Sequence, residues 1–165
     1  MKQPILIAVL LAGACAVPAF AAPETYEFDA THTYPSFEIN HLGFSVMRGT
    51  FYATSGTLVL DDAAKTGSVE AEIDAASVST GYAKRDEHLR SKDFFNAEAF
   101  PKITFKSDKF TWDMKPTQVA GSLTLHGVTK PVTLDVAPTK CDMRMDKVFI
   151  CGAVVTTSIK RSDFD

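Results

Sequence analysis

Apolar and polar residues alternate in short stretches along most of this chain. Residues 68–75 are the cleanest case. Val69, Ala71 and Ile73 face one way, and Glu70, Glu72 and Asp74 face the other, as in a strand with one wet face. Residues 26–29 alternate too. In residues 36–41, Phe37, Ile39 and His41 share a face. Residues 46–54 and 57–60 follow, with Gly56 between them as a bend or bulge. The second half repeats the style at 102–106, 109–112, 118–125, 132–136 and 149–159. Turn-forming residues separate these stretches, at 61–67, Ser107-Asp108, 115–117 and His126-Gly127. The pattern predicts an antiparallel all-β domain, either a sandwich or a closed barrel.

One stretch breaks the alternation. Ser79 and Thr80 are capping residue types and Gly81 is a turn residue. Residues 83–91 then contain good helix formers with no Pro or Gly. Asp86 and Arg90 are four apart, and Arg85 and His88 three apart, so each pair can meet on one helix face. Leu89 and the pair Phe94-Phe95 give this charged segment an apolar end. A helical insertion of this kind is suited to covering the end of a barrel. Residues 96–100 add a further helical turn, ended by Pro101.

With 165 residues the chain is long enough for one domain. Residues 1–21 read as a signal peptide. Met1-Lys2 is a basic start, residues 5–12 are an apolar run too short to span a bilayer, and Ala19-Phe20-Ala21 is a small-x-small cleavage pattern. The alternative, a lipoprotein signal with Cys15 acylated, fits less well because Ala12 stands where Leu is usual. Residues 22–165 form the domain. Without Lys2 the chain carries 16 basic and 20 acidic side chains, a net charge near −4. No basic stripe stands out, which argues against nucleic acid as a partner. In the oxidising compartment that export implies, Cys141 and Cys151 read as a disulfide across a hairpin. The twelve Phe residues fit either a packed core or an apolar cavity, and composition by itself favours the core.

Several blocks carry a resemblance: Asp29-x-x-His32, Phe37-x-Ile39-x-His41, Gly49-x-Phe51, Arg85-Asp86-x-His88-Leu89-x-Ser91-x-Asp93-Phe94-Phe95, Pro101-x-Ile103-Thr104-Phe105-x-Ser107, Gly121-x-Leu123-Thr124-Leu125-His126-Gly127-Val128-Thr129-Lys130 and Arg161-Ser162-Asp163-Phe164. In order and spacing, from Tyr26 to Phe164, they resemble the YceI family of periplasmic lipocalin-like proteins. The resemblance implies an extended eight-stranded antiparallel barrel with a short helical insertion. It also implies an elongated apolar pore that binds a polyisoprenoid, such as a polyprenyl pyrophosphate or an isoprenoid quinone or its precursor. Family members usually continue Arg-Ser-Asp-Phe-Gly-Met and add about another strand. Here Asp165 follows Phe164, so the last strand is expected to be missing or supplied by a partner.

An isoprenoid chain binds through apolar area removed from water, about 25 cal/mol per Å². Candidates for the pore wall are Phe37, Ile39, Phe44, Phe51, Leu58, Ile73, Phe105, Leu123 and Leu125, with Phe94 and Phe95 at its end. Candidates for head-group contacts are His41, Arg85, His88, Arg90 and Lys92, although charge runs more often form solvated faces. The four His residues lack the spacing of a metal site. An enzyme reading would pair Asp86 with His88, but residues two apart on a helix point about 200° apart. The expectation is a non-enzymatic isoprenoid carrier in the periplasm, without cofactor, stable membrane span or catalytic residues, with a homodimer among the states that the resemblance implies. The alternatives are an enzyme using Asp86 and His88, and a β module that accepts a partner's strand.

Overall fold

The computed structural model describes residues 22–115 and 117–164. The expected signal peptide and Asp165 lie outside the described residues. In chain order the elements are β1 (Glu24–Glu27), β2 (Ser36–His41), β3 (Ser45–Phe51), β4 (Thr54–Asp61), β5 (Thr66–Asp74), β6 (Val78–Ser79), α1 (Ala83–Arg90), β7 (Lys102–Ser107), β8 (Phe110–Thr111), β9 (Thr117–Leu125), β10 (Val128–Val136), β11 (Lys140–Met143), β12 (Phe149–Gly152) and β13 (Val155–Thr156).

The alternation becomes a curled antiparallel half-barrel. Its strands run in the order β1-β4-β5-β7-β9-β10-β13, with β8 beside β5. Among the described residues no strand lies beyond β1 or β13, so the curl is open along one side. Residues directly opposite on neighbouring strands share a face. Leu58 lies opposite Val69, Ile73 opposite Ile103, Ala71 opposite Phe105, Phe105 opposite Leu123, and Leu125 opposite Val128. Val119 and Gly121 lie opposite Leu134 and Val132. One apolar face therefore runs from β4 to β10. The other face is polar and carries surface ion pairs, Lys106–Glu70 at 2.7 Å and Lys102–Glu72 at 2.9 Å.

Two turns show why the strands reverse where they do. Leu125 pairs with Val128, so His126 and Gly127 form a two-residue loop, and both have positive φ, 53° and 77°. That is the type I′ geometry that matches strand twist. At Gly121 the constraint is close approach. A Cβ there would lie 2.5 Å from the Lys106 carbonyl and 2.6 Å from the Phe105 ring.

A separate sheet, β2-β3-β6, and the helical insertion close one end of the curl. Phe51 is buried between Phe37 and Phe95, with ring centroids 5.9 and 5.3 Å away. Ala75, Val78, Ala97 and Ile103 complete this core, and Ile73, Leu89, Leu123 and Leu125 pack against it. Each such aromatic pair adds about 0.5–1.5 kcal/mol to the area it buries.

Three local expectations are corrected. Gly56 is not a bend but lies inside β4, with the Phe28 ring over it. Residues 149–159 do not form one strand. Cys151 is opposite Cys141 and disulfide-bonded to it, which commits β12 to β11 and leaves only Val155 and Thr156 to pair with β10. Residues 96–100 form turns rather than a regular helix, with Asn96 at a positive φ of 45°.

Two measurements follow from this architecture. Gly121→Val should lower the urea-unfolding free energy by about 1–3 kcal/mol, the usual cost of overpacking, because backbone on β7 is in its way. Reducing the disulfide should raise hydrogen exchange in residues 140–152 and leave β4, β5, β7 and β9 protected. The bridge closes a local loop whose restriction is worth about 2–3 kcal/mol.

Candidate functional site

The candidate site is the apolar concave face. Leu58, Ile73, Phe105, Leu123 and Leu125 all project from it, as the cross-strand register requires. Phe37, Phe51 and Phe95 plug its closed end. Val69, Val119, Val132, Leu134 and Val136 belong to the same face and were absent from the expected wall. Their alternation in residues 66–74, 117–125 and 128–136 was the signal that marks them.

The structure puts three expected wall residues elsewhere. Ile39 is largely exposed on β2, and Phe44 is 89% exposed at the turn between β2 and β3. Both belong to the smaller sheet, whose far end extends away from the core. Phe94 packs on the outside of the insertion, with the His88 ring 4.8 Å away edge-on and the Arg161 guanidinium 4.6 Å above its ring. Arg161 also donates to the Asp93 carbonyl at 2.8 Å, which ties the C-terminal segment to the insertion.

Asp86, Arg85 and Arg90 of the insertion are committed to building it. Asp86 is only 7% exposed. It accepts hydrogen bonds from the Thr80 N–H at 2.7 Å, the Thr80 hydroxyl, and the Ser79 hydroxyl at 3.1 Å. Ser79 and Thr80 thus meet the helix through Asp86, while Tyr82 occupies the N-cap position without a side-chain bond. Burial pushes the Asp86 carboxyl up, but the Thr80 and Ser79 hydrogen bonds and the charge of Arg90 outweigh it. They hold the carboxyl below its ordinary value. Arg85 donates to the Thr80 hydroxyl at 2.7 Å and to the Thr80 carbonyl at 3.0 Å. Arg90 donates to the Val78 carbonyl at 3.4 Å. His88 faces Asp93 at 3.3 Å. Asp86 and His88 therefore have different partners and do not form an acid–base pair. His41 is exposed next to the β2–β3 turn, and Lys92 is exposed beyond α1.

A cleft of about 710 Å³ opens along the outer edge of β10, between Lys130–Thr133 and residues 157–164. It brings Lys130, Lys160 and the carboxylate-bearing Asp163 beside Val132, Ile159 and Phe164, so charged and apolar groups line one recess. It lies at the open side of the curl, away from Leu58 and Ile73. Among the described residues no group of three His, Cys, Asp or Glu converges to hold a metal, and no helix is long and apolar enough to cross a membrane.

Comparison with known proteins decides the family. Residues 26–165 match the family profile described as the YceI-like domain. The chain belongs to the YceI family. It is 41% identical over 118 residues to Protein YceI of Escherichia coli O157:H7, which covers 71% of this chain and 62% of that protein. The chain thus spans less than two thirds of the length of the curated relatives it matches. A Campylobacter jejuni YCEI crystal structure superposes with a TM-score of 0.67 at 35% identity, covering 84% of this chain and 82% of that one. Burkholderia cenocepacia BcnA superposes with a TM-score of 0.64 at 25% identity, covering 79% of each chain. The YceI-family assignment agrees with the fold. The half-barrel, its insertion and its blocks of sequence all belong to one architecture.

The Asp86 hub predicts an acid-sensitive insertion. Its depressed folded-state value means that its stabilisation is present above the ordinary carboxylate range of about 4 and is lost as pH falls through the folded value. Asp86→Asn should reduce stability at pH 7 by about 1.5–3 kcal/mol, the range for hydrogen bonds to a charged group, and should flatten the acid limb of the stability–pH curve. Chemical denaturation between pH 7 and 3 reads both effects. Equal slopes in wild type and variant would contradict this account.

Proposed function

We propose that this chain is a non-enzymatic carrier of an isoprenoid lipid, held by its apolar tail along the concave face. The supporting observation is the continuity of that face. Leu58 lies opposite Val69, Ala71 opposite Phe105, Phe105 opposite Leu123 and Val119 opposite Leu134, with Lys130 opposite Leu123 at the β10 margin, and the Phe37–Phe51–Phe95 plug ends the face. A polyprenyl tail has no hydrogen-bonding groups. Its affinity comes from shape and area, and a preformed curved apolar wall supplies both. Family membership supports the same reading. A polyprenyl pyrophosphate, an isoprenoid quinone or its precursor fits the tail-binding face.

For an anionic head group, the cleft cations Lys130 and Lys160 suit better than Arg85 and Arg90, whose guanidinium groups already serve Thr80 and Val78. Export to the periplasm through residues 1–21 belongs to this proposal. Neither a cofactor nor a metal is needed for it.

A second reading has one observation in its favour. Beyond its two-rung pairing with β13, the outer edge of β10 faces the cleft. A strand from another chain, including a second copy in a homodimer, would fit an edge of this kind.

Native mass spectrometry of protein purified without detergent tests the carrier reading. One isoprenoid per chain is expected, identified after organic extraction. Leu123→Glu places a charge on the concave face and should weaken uptake of added polyprenyl lipid at least tenfold, with circular dichroism confirming that the fold persists. A lipid-free mass together with no uptake of added lipid would reject the proposal. Sedimentation velocity on the same sample separates monomer from strand-sharing assembly.

A further inference from the structure

The two margins of the large sheet meet at an ion pair. β1 and β13 stand at opposite ends of the strand order, yet Arg144 on the β11–β12 hairpin reaches Asp29 in the loop after β1, Nη1 to Oδ2 at 3.8 Å. Followed rung by rung from Glu27, the register passes Thr57, Glu70, Lys106 and Ser122 and arrives at Pro131 on β10. Arg144 lies more than a strand length farther along the chain. The margins thus meet with the stagger that tilted strands bring to a closing barrel.

Both halves of the pair are ordered within their own elements. One Asp29 oxygen accepts from the Thr31 N–H at 2.9 Å and from the Thr31 hydroxyl, and the other faces the His32 imidazole at 2.8 Å. Those hydrogen bonds lower the Asp29 carboxyl to about 2, so it is ionised at neutral pH. Arg144 is held by Asp146, through Nε at 2.9 Å and Nη2 at 2.7 Å, and its N–H donates to the Val148 carbonyl at 2.8 Å. Surface ion pairs usually contribute little because two long side chains must be ordered to form them. Here each side chain is ordered without the other.

The hairpin that carries Arg144 is a stiff arm on a bend. Cys141 lies opposite Cys151 and is bonded to it. The β10–β13 ladder continues to Ala137, whose N–H donates to the Val154 carbonyl at 2.9 Å. Carried on in that register, Cys141 would meet Ile150, but it meets Cys151. A slip of one residue is a bulge and bends the ribbon, and Pro138 sits in it without an N–H to pair.

We propose that the β11–β12 arm is a hinged clasp. It bends at residues 137–139 and 153–154, and Arg144 on Asp29 locks the first and last margins of the curl together. Its release lets the margins part and admits a lipid tail to the concave face from the side. The pair is half-exposed on both sides, so solvent and salt leave it weak enough to open. The clasp deepens the carrier reading and rests on it only for its use.

Spin labels at Ala30→Cys and Met145→Cys, with the native disulfide intact, report the gap that the clasp spans, and both positions are exposed. One short distance is expected with Asp29 in place. Asp29→Asn keeps the oxygen that Thr31 needs and removes the charge. The distance distribution should then lengthen and broaden while the thermal midpoint holds. Arg144→Gln should do the same, and so should raised salt in the wild type. An unchanged distribution in either variant overturns the proposal. Stopped-flow mixing of unlabelled protein with a fluorescent polyprenyl lipid reads the gate. Asp29→Asn should speed uptake and release alike by about two- to fivefold, the range for an exposed pair, and leave Kd unchanged. Equal rates in variant and wild type, or a changed Kd, also overturn it. Uptake by neither protein sinks the carrier reading, while the distances still judge the clasp.

Discussion

Phe51 is the point on which the three parts of the molecule depend. It ends β3, pairs with Val78 on β6, and stacks on Phe37 from β2 and Phe95 from the insertion. Ile103 of the large sheet shares the same core. A curled sheet that is open along one side cannot bury its concave face by itself. The aromatic cluster closes one end and fixes where the insertion sits. The rest of the concave face is left as a curved apolar wall.

Leu89 and Phe95 anchor the insertion in the core, and polar contacts rather than a hydrophobic stripe set the start of its helix. Asp86 draws Ser79 and Thr80 onto the first turns of α1, and Arg85 and Arg90 satisfy the carbonyls of Thr80 and Val78. A buried carboxylate is tolerated because its oxygens are met by three donors. The same groups that suggest chemistry in the linear sequence are therefore spent on geometry. The cations at the open side, Lys130 and Lys160, are thirty residues apart in the chain and meet only in the fold.

Apolar surface in this protein thus takes three forms. Part is buried in the aromatic plug. Part lines the concave face, where Phe105 and Val119 are buried and Leu58, Ile73, Leu123 and Leu125 are half-buried. Part, on the β2–β3 tip, is exposed outright. Large exposed apolar groups cost solubility, and they persist where they have a partner. The wall and the tip differ in shape.

Alternation along the chain determined which residues share a face, because the side-chain period of a strand is two regardless of what packs on it. Leu58, Ile73, Phe105, Leu123 and Leu125 were legible on that ground, and so was the helical insertion. The Cys141–Cys151 pair followed from its spacing and from the export signal read in residues 1–21. Alternation carries no information about which sheet a strand joins. Phe37 and Phe44, seven residues apart, therefore separated into core and bare tip only in three dimensions. Residue type also cannot distinguish an Arg that meets a ligand from one that meets a backbone carbonyl. That choice depends on where residues far apart in sequence are brought together, and the tertiary structure alone decided it for Arg85, Arg90 and Asp86.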